Sequence, residues 1–390
     1  MHNATCVTKD IMNYFPTYLA LGSAFCNRKE EIKRILYDLH GNTPILLISP
    51  RRYGKTSLAL KSFEQIKWPY AHIDLYKALS EEDIVKYILN GIGQLLGKIE
   101  SAPKKLMFLA GEFFSNLHIK VVFEKAGLQL EFNSKNQKPT DIILKALEKL
   151  HELALKKGKR VVLFLDEFQV VGEVIKNNSI EAIIREAAQK STHISYVFSG
   201  SNRHLMEQMF YDRKKPFYKL CSQIKLDRIH KNEYEHYINI AAKETWKKTL
   251  EQSTLNMIFE LSEFHSYYVN KLCSLLWQKS EAPKEQDVIL TWRNFVLENK
   301  SSVERELSLI SINQRKLLIY LSNQDQTKEI FSKKITQQID LTSSSVQRAV
   351  EQLIEKDYIY IDQDKSYKVL DPLIKSALFI HEPLVCDHFL

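Results

Sequence analysis

The chain is short of the residues that build special frameworks. Of 390 residues only 11 are glycine and 10 proline, with no low-complexity tract and no repeat at a solenoid period, which excludes collagen-like and array architectures. The five cysteines, Cys6, Cys26, Cys221, Cys273 and Cys386, lie far apart with no C-x-x-C pair. That excludes a disulfide-stapled scaffold and a zinc site, and it suits reduced thiols in a cytosol. No stretch approaches 18 uninterrupted apolar residues, and the start, Met-His-Asn-Ala-Thr-Cys, lacks the basic and apolar segments of a secretory signal. The expectation is a soluble, cytoplasmic protein with no membrane partner.

What is present is ordinary globular material. Hydrophobic residues make up 44% of the chain, enough for cores in two or three domains. The net charge of +8 and pI near 8.9 admit acidic partners without requiring them.

One stretch carries chemistry. Ile45 to Ile48 form an apolar run suited to a buried parallel strand, and Thr56 to Gln65 has the composition of a helix. Between them the spacing G-x-x-x-x-G-K-[ST] is met from Ser49 to Thr56, with Ser49 in place of the first glycine. Gly54 permits the turn that points backbone N–H groups at a phosphate, Lys55 reaches the β and γ phosphates, and the Thr56 hydroxyl suits Mg²⁺. A purely structural strand–turn–helix is the competing account.

A second stretch supplies what the first lacks. Val161 to Leu165 is an apolar run ending in Asp166-Glu167, a Walker B arrangement in which the first carboxylate supports the metal and the second orients or deprotonates the attacking water. A further strand, Ile194 to Ser199, ends in Gly200-Ser201-Asn202-Arg203, where Ser201 either senses the γ-phosphate or caps a loop. Residues 203–231 hold eight Lys or Arg against three acids; a solvated face and an anion-binding contact both fit this excess.

The remaining chain reads as a lead-in over 1–24, a core over 25–229 with an insertion around 80–140, a helical lid over 230–302, a winged helix-turn-helix over 303–378 and a tail over 379–390. In the insertion, Val121 to Phe132 suggests a hairpin turning at Lys-Ala-Gly. In the winged helix, Gln314 to Leu321 and Phe331 to Ile339 are the first two helices. Thr342 N-caps the third, and Tyr358 to Ile361 with Tyr367 to Leu370 make the wing. The third helix would expose Ser344, Gln347 and Arg348 to duplex DNA or to a protein partner. Nine Lys or Arg against eight acids over 311–370 leave both partners open.

Taken together, the strings Phe25-Cys26-Asn27-Arg28-Lys29-Glu30-Glu31, Pro50-Arg51-Arg52-Tyr53-Gly54-Lys55-Thr56-Ser57, Leu165-Asp166-Glu167-Phe168-Gln169, Phe198-Ser199-Gly200-Ser201 and the Asp-Pro of Tyr367 to Leu373 resemble the archaeal-type ATPases, relatives of the AAA+ and STAND ATPases. The resemblance covers about residues 22–378. It implies an α/β P-loop NTPase fold, ASCE/AAA+-like, with a three-layer core around a parallel sheet, a helical lid and a C-terminal winged helix.

It also implies ATP and Mg²⁺ as ligands. By analogy Arg28 lies near the adenine, and residues 50–57 form the nucleotide loop. Lys55 and Thr56 bind phosphate and metal, Asp166 supports the metal, Glu167 activates water, and Ser201 sits near sensor 1. Arg185 is the first candidate for an arginine finger in a homo-oligomer, with Arg203 and Arg213 behind it. Phe264-His265-Ser266-Tyr267-Tyr268 departs from the family's Gly-x-Pro lid element. The expected function is a Mg²⁺-dependent ATPase using nucleotide as a conformational switch. The alternatives are a DNA-binding protein regulated by ATP with little turnover, or a STAND-like scaffold that recruits a protein.

Overall fold

The computed structural model describes residues 14–379 apart from 116, 118, 125–126 and 133–137. Most of the expected lead-in, the Lys-Ala turn of the expected hairpin, and the tail from 380 lie outside the described residues. The chain divides into two compact units, Arg28–Asp227 and the segments on either side of it.

The strands in chain order are β1 (Ile45–Ile48), β2 (Tyr70–Asp74), β3 (Ile119–Glu124), β4 (Gly127–Phe132), β5 (Val161–Asp166), β6 (Ile194–Gly200), β7 (Ser222–Lys225), β8 (Ile359–Ile361) and β9 (Tyr367–Val369). In the unit Arg28–Asp227, five of them form one parallel sheet in the order β2-β5-β6-β1-β7. Every residue of β1, β5 and β6 is buried, as expected of central strands covered on both faces, and this is why they read as unbroken apolar runs. Because β6 lies between β1 and β5, the phosphate-loop strand and the acidic strand are not neighbours, the ASCE arrangement of a P-loop core.

Strand β7 has no such signature. Only Ile224 of its four residues is buried, and backbone bonds to β1's surroundings, Ser222 N–H to Pro44 O at 2.8 Å and Leu226 N–H to Ile48 O at 3.0 Å, hold it as the edge. Between β2 and β5 the chain forms helices Glu81–Ile99, Pro103–Ser115 and Pro139–Lys156 and the antiparallel pair β3–β4. A capping box at Ser80 and Asp83 starts the first of these helices.

The sheet register places the site. Ile48 pairs with Gly200, Leu165 with Phe198, and Asp74 with Asp166, so the C-terminal ends of four strands lie side by side, the edge at which open α/β sheets bind ligands.

In the other unit, helices Lys231–Trp246, Gln252–Ser262, Ser266–Leu276 and Glu285–Ser308 lead into the winged helix, made of Ile312–Ser322, Lys333–Gln338, Ser343–Glu355, β8, β9 and Pro372–Phe379. A single hydrophobic core runs through all of them and includes Phe15, whose ring lies 4.5 Å from that of the fully buried Trp277. The second winged-helix element begins later than its sequence suggests: Lys333, not Phe331, is its first residue, and Phe331 is exposed and lies edge-on to Tyr367. Among the described residues no helix is long and apolar enough to cross a membrane.

Candidate functional site

The site starts where β1 ends. Arg52 and Gly54 adopt positive φ, 65° and 89°, and the Leu58 N–H to Gly54 O bond opens the helix Lys55–Ile66. A Cβ on residue 54 would meet nothing, so it is the left-handed backbone rather than crowding that calls for glycine there. The buried Lys55 reaches back across the loop, its ammonium donating to Ser49 O at 2.9 Å, Pro50 O at 3.1 Å and Ser49 Oγ at 3.4 Å. Ser49 stands where the motif has its first glycine, and its small side chain turns onto Pro50 O at 3.0 Å.

Arg28 steadies this loop from outside. Buried, and itself at φ 66°, it donates to Tyr53 O at 3.4 Å and to Asp227 O at 2.5 Å, and it pairs with Glu31 at 3.0 Å. These bonds tie the loop backbone to the end of the chain's path through this unit.

Asp166, at the end of β5, is the most heavily hydrogen-bonded carboxylate of the site. Its Oδ2 accepts from Thr56 Oγ1 at 2.8 Å and contacts His72 Nε2 at 3.1 Å. Its Oδ1 accepts from Ser199 Oγ and from the Glu167 N–H at 3.1 Å. Burial pushes its pKa up, but the bonds from His72, Ser199 and Thr56 and the charge of His72 outweigh that and hold it below the ordinary carboxylate value. His72 is stacked on Phe164, its register partner across β2 and β5.

Glu167 follows in left-handed backbone at φ 52°, a conformation that costs a non-glycine residue about 1–3 kcal/mol and gathers at functional positions. Phe168 holds the turn. It is fully buried in a ring cluster with Phe198, Phe210 and Phe217, and its N–H donates to Ser199 O at 2.8 Å. The Glu167 carboxylate accepts on Oε2 from Ser201 Oγ and from Gln169 Nε2, each at 2.6 Å. Ser201 Oγ in turn lies 3.4 Å from Arg51 Nε.

Among the expected site residues the fold therefore gathers Arg51, Lys55, Thr56, Asp166, Glu167 and Ser201, with Arg28 and Tyr53 behind the loop and Ser57 buried in the first turn of its helix. Arg185 is not hydrogen-bonded to this cluster among the described residues: its Nε donates to Gln189 on its own helix at 3.4 Å. Ser344, Gln347 and Arg348 are exposed on the helix Ser343–Glu355 of the other unit.

Sequence pattern assigns no role to His72, Ser199 or Gln169, although Ser199 and Gln169 stand within strings that carry the family resemblance. The signal was available for two of them, since a polar residue near the end of an apolar strand is the same feature that marked Ser201. Thr56 and Asp166 offer hard oxygen donors of the kind Mg²⁺ takes when phosphate oxygens complete its shell. Among the described residues no group of three or more His, Cys, Asp or Glu could hold a metal unaided.

Residues 25–272 match the model of an ATPase domain predominantly from Archaea, and residues 294–379 match one described as "probable winged helix domain". The fold is similar to that of the Walker-type ATPase of Pyrococcus abyssi, at 16% identity and TM-score 0.65, covering 91% of this chain and 96% of that one. It is similar also to the ORC2 protein of Aeropyrum pernix in ADPNP–ADP complexes, at 12% identity and TM-score 0.59 over 95% and 97%. The ORC1 protein of the same organism, in complex with DNA, matches at 10% and 0.51 over 96% and 97%. At these identities the likeness is one of fold. Comparison with curated proteins finds no match.

Proposed function

Because the chain belongs to the family of ATPase domains predominantly from Archaea, we propose that it binds Mg²⁺-ATP at residues 49–56 and hydrolyses it, with the nucleotide state acting as a conformational switch for the unit that carries the winged helix. The observation that carries this reading is the coupling of two carboxylates to the loop: Thr56 to Asp166 at 2.8 Å, and Arg51 through Ser201 to Glu167.

Each residue then has a task. Backbone N–H groups at the start of the helix Lys55–Ile66 and the Lys55 ammonium bind the phosphates. Asp166, kept ionised by its donors, and the Thr56 hydroxyl hold the metal, which when bound neutralises charge on the transferred phosphoryl group. Glu167 accepts the proton of the attacking water, and Ser201 orients Glu167. Arg185, Arg203 and Arg213 remain the candidates for an arginine supplied across a subunit boundary, which molar mass measured with and without ATP tests.

The decisive experiment is ATP turnover and ATP affinity measured together. Lys55→Ala is expected to abolish binding, and Glu167→Gln to keep binding and lose turnover. Turnover at the wild-type rate by Glu167→Gln would remove Glu167 as the base.

A second reading, ATP-regulated DNA binding with little turnover, is favoured by the exposed Ser344, Gln347 and Arg348 and by the fold shared with an ORC1 protein solved in complex with DNA. It predicts salt-dependent duplex binding weakened by Arg348→Ala, whereas no binding at low salt leaves a protein partner for that face.

A further inference from the structure

We infer that Gln169 is a positioning residue for Glu167, gripping one oxygen of its carboxylate so that the other is left to take the proton. This deepens the hydrolysis reading and rests on it. Glu167 Oε2 receives three donors, Gln169 Nε2 and Ser201 Oγ at 2.6 Å and the Ser201 N–H at 3.4 Å. Among the described residues Oε1 has no hydrogen-bond donor. Ser201 supplies two of these donors, a rotatable hydroxyl and a long N–H contact, both from one residue; the Gln169 amide adds a short one from a second residue and restrains rotation of the carboxylate about its terminal bond.

Gln169 is built into this place at some cost. Its side chain is buried, yet its own carbonyl Oε1 has no hydrogen-bond partner. Buried polar atoms are nearly always paired, so an orphan asks for a reason. Here the reason is orientation: with the amide turned over, Oε1 would face the Glu167 carboxylate and the donor would be lost.

The neighbouring strand end makes room for it. A Cβ on Gly200 would come within 2.5 Å of Gln169 Oε1 and 2.6 Å of Met206 Cγ and Sδ. The glycine at the end of β6 is therefore part of the same device. No other residue leaves the amide where it is.

The test is Gln169→Leu, which removes the donor, keeps most of the volume and relieves the orphaned carbonyl. Turnover, KM and ATP affinity are measured in the wild-type and Glu167→Gln backgrounds by single-turnover hydrolysis. A kcat lower on the order of tenfold, KM and ATP affinity within twofold, an undiminished melting temperature, and no further loss in the Glu167→Gln background are expected. Gly200→Ala, which displaces the amide without removing it, should give the same loss confined to kcat. A kcat within twofold of wild type in Gln169→Leu, or an equal loss with Glu167 already replaced, overturns the inference while leaving the hydrolysis reading intact. Wild-type protein that binds ATP without turnover sinks both.

Discussion

Glu167 and Glu263 both stand in left-handed backbone, at φ 52° and 47°, and each is followed by a phenylalanine that anchors the turn. Phe168 sits in a buried cluster of rings, and Phe264 stacks on Phe259 with centroids 4.9 Å apart. Their carboxylates are treated in opposite ways. Both oxygens of Glu263 meet a cation, Oε2 the Arg228 guanidinium at 2.9 Å and Oε1 the Lys375 ammonium at 2.6 Å. Arg228 also donates to Leu370 O at 3.1 Å, so the pair links the start of the helical region to the end of the winged helix.

Beside it Asp371 caps the helix Pro372–Phe379 through Leu373 N–H at 2.8 Å and accepts from Tyr268 OH at 2.7 Å. Among the described residues Glu167 meets only neutral donors, and on one oxygen. A carboxylate neutralised from both sides is a strut, whereas one held by neutral donors on a single oxygen keeps a lone pair for a proton.

The comparison can be broken by exchanging amide for acid at the two positions. Glu167→Gln should lower kcat by about 10²–10⁴-fold, the usual worth of a general base, while ATP affinity and melting temperature stay near wild type. Glu263→Gln should leave kcat of the folded protein unchanged and lower unfolding free energy by about 2–4 kcal/mol, since Arg228 and Lys375 are left facing a neutral amide. Denaturant titration reads the difference, and a loss of turnover without loss of stability would reverse the roles assigned to the two glutamates.

A pH series sharpens the same contrast. Burial raises the pKa of Glu263, but the charges and hydrogen bonds of Lys375 and Arg228 outweigh it and hold the folded value below 4.5. A carboxylate depressed on folding stabilises fully above its unfolded pKa, and the contribution disappears as pH falls through the lower folded value. The gap in stability between wild type and Glu263→Gln should therefore be widest above pH 4.5 and close as the solution is acidified below it. A gap independent of pH would mean that packing, not charge, carries the link.

The smallest effect belongs to the exposed face. Arg348→Ala should change unfolding free energy by no more than about 0.5 kcal/mol and leave turnover untouched, acting only on a partner.

The parts of this architecture that announced themselves are those coded within a few residues. β1, β5 and β6 are buried on both faces, so each is an apolar run. The loop needs a fixed spacing from strand to lysine, and Thr342 caps the third winged-helix element through its hydroxyl and the Ser345 N–H. Edge position hid β7, because a strand paired on one side and half exposed tolerates Ser, Gln and Lys. His72 and Ser199 escaped notice since a lone polar residue in an apolar strand is most simply read as tolerated. Gln169 stands in the Asp-Glu-Phe-Gln string that carries the family resemblance, yet no spacing rule gives that glutamine a role.

Local pattern thus determined the class of fold and singled out the loop at residues 49–56 and the Asp166-Glu167 pair as candidates, for these depend on residues adjacent in the chain. Which carboxylate is braced by cations and which is left open was decided only by packing. Thr56 lies 110 residues from Asp166, His72 lies 94 from it, and Arg228 lies 142 from Leu370. Such partners meet through strand order and helix packing, and no pattern of adjacent residues encodes that.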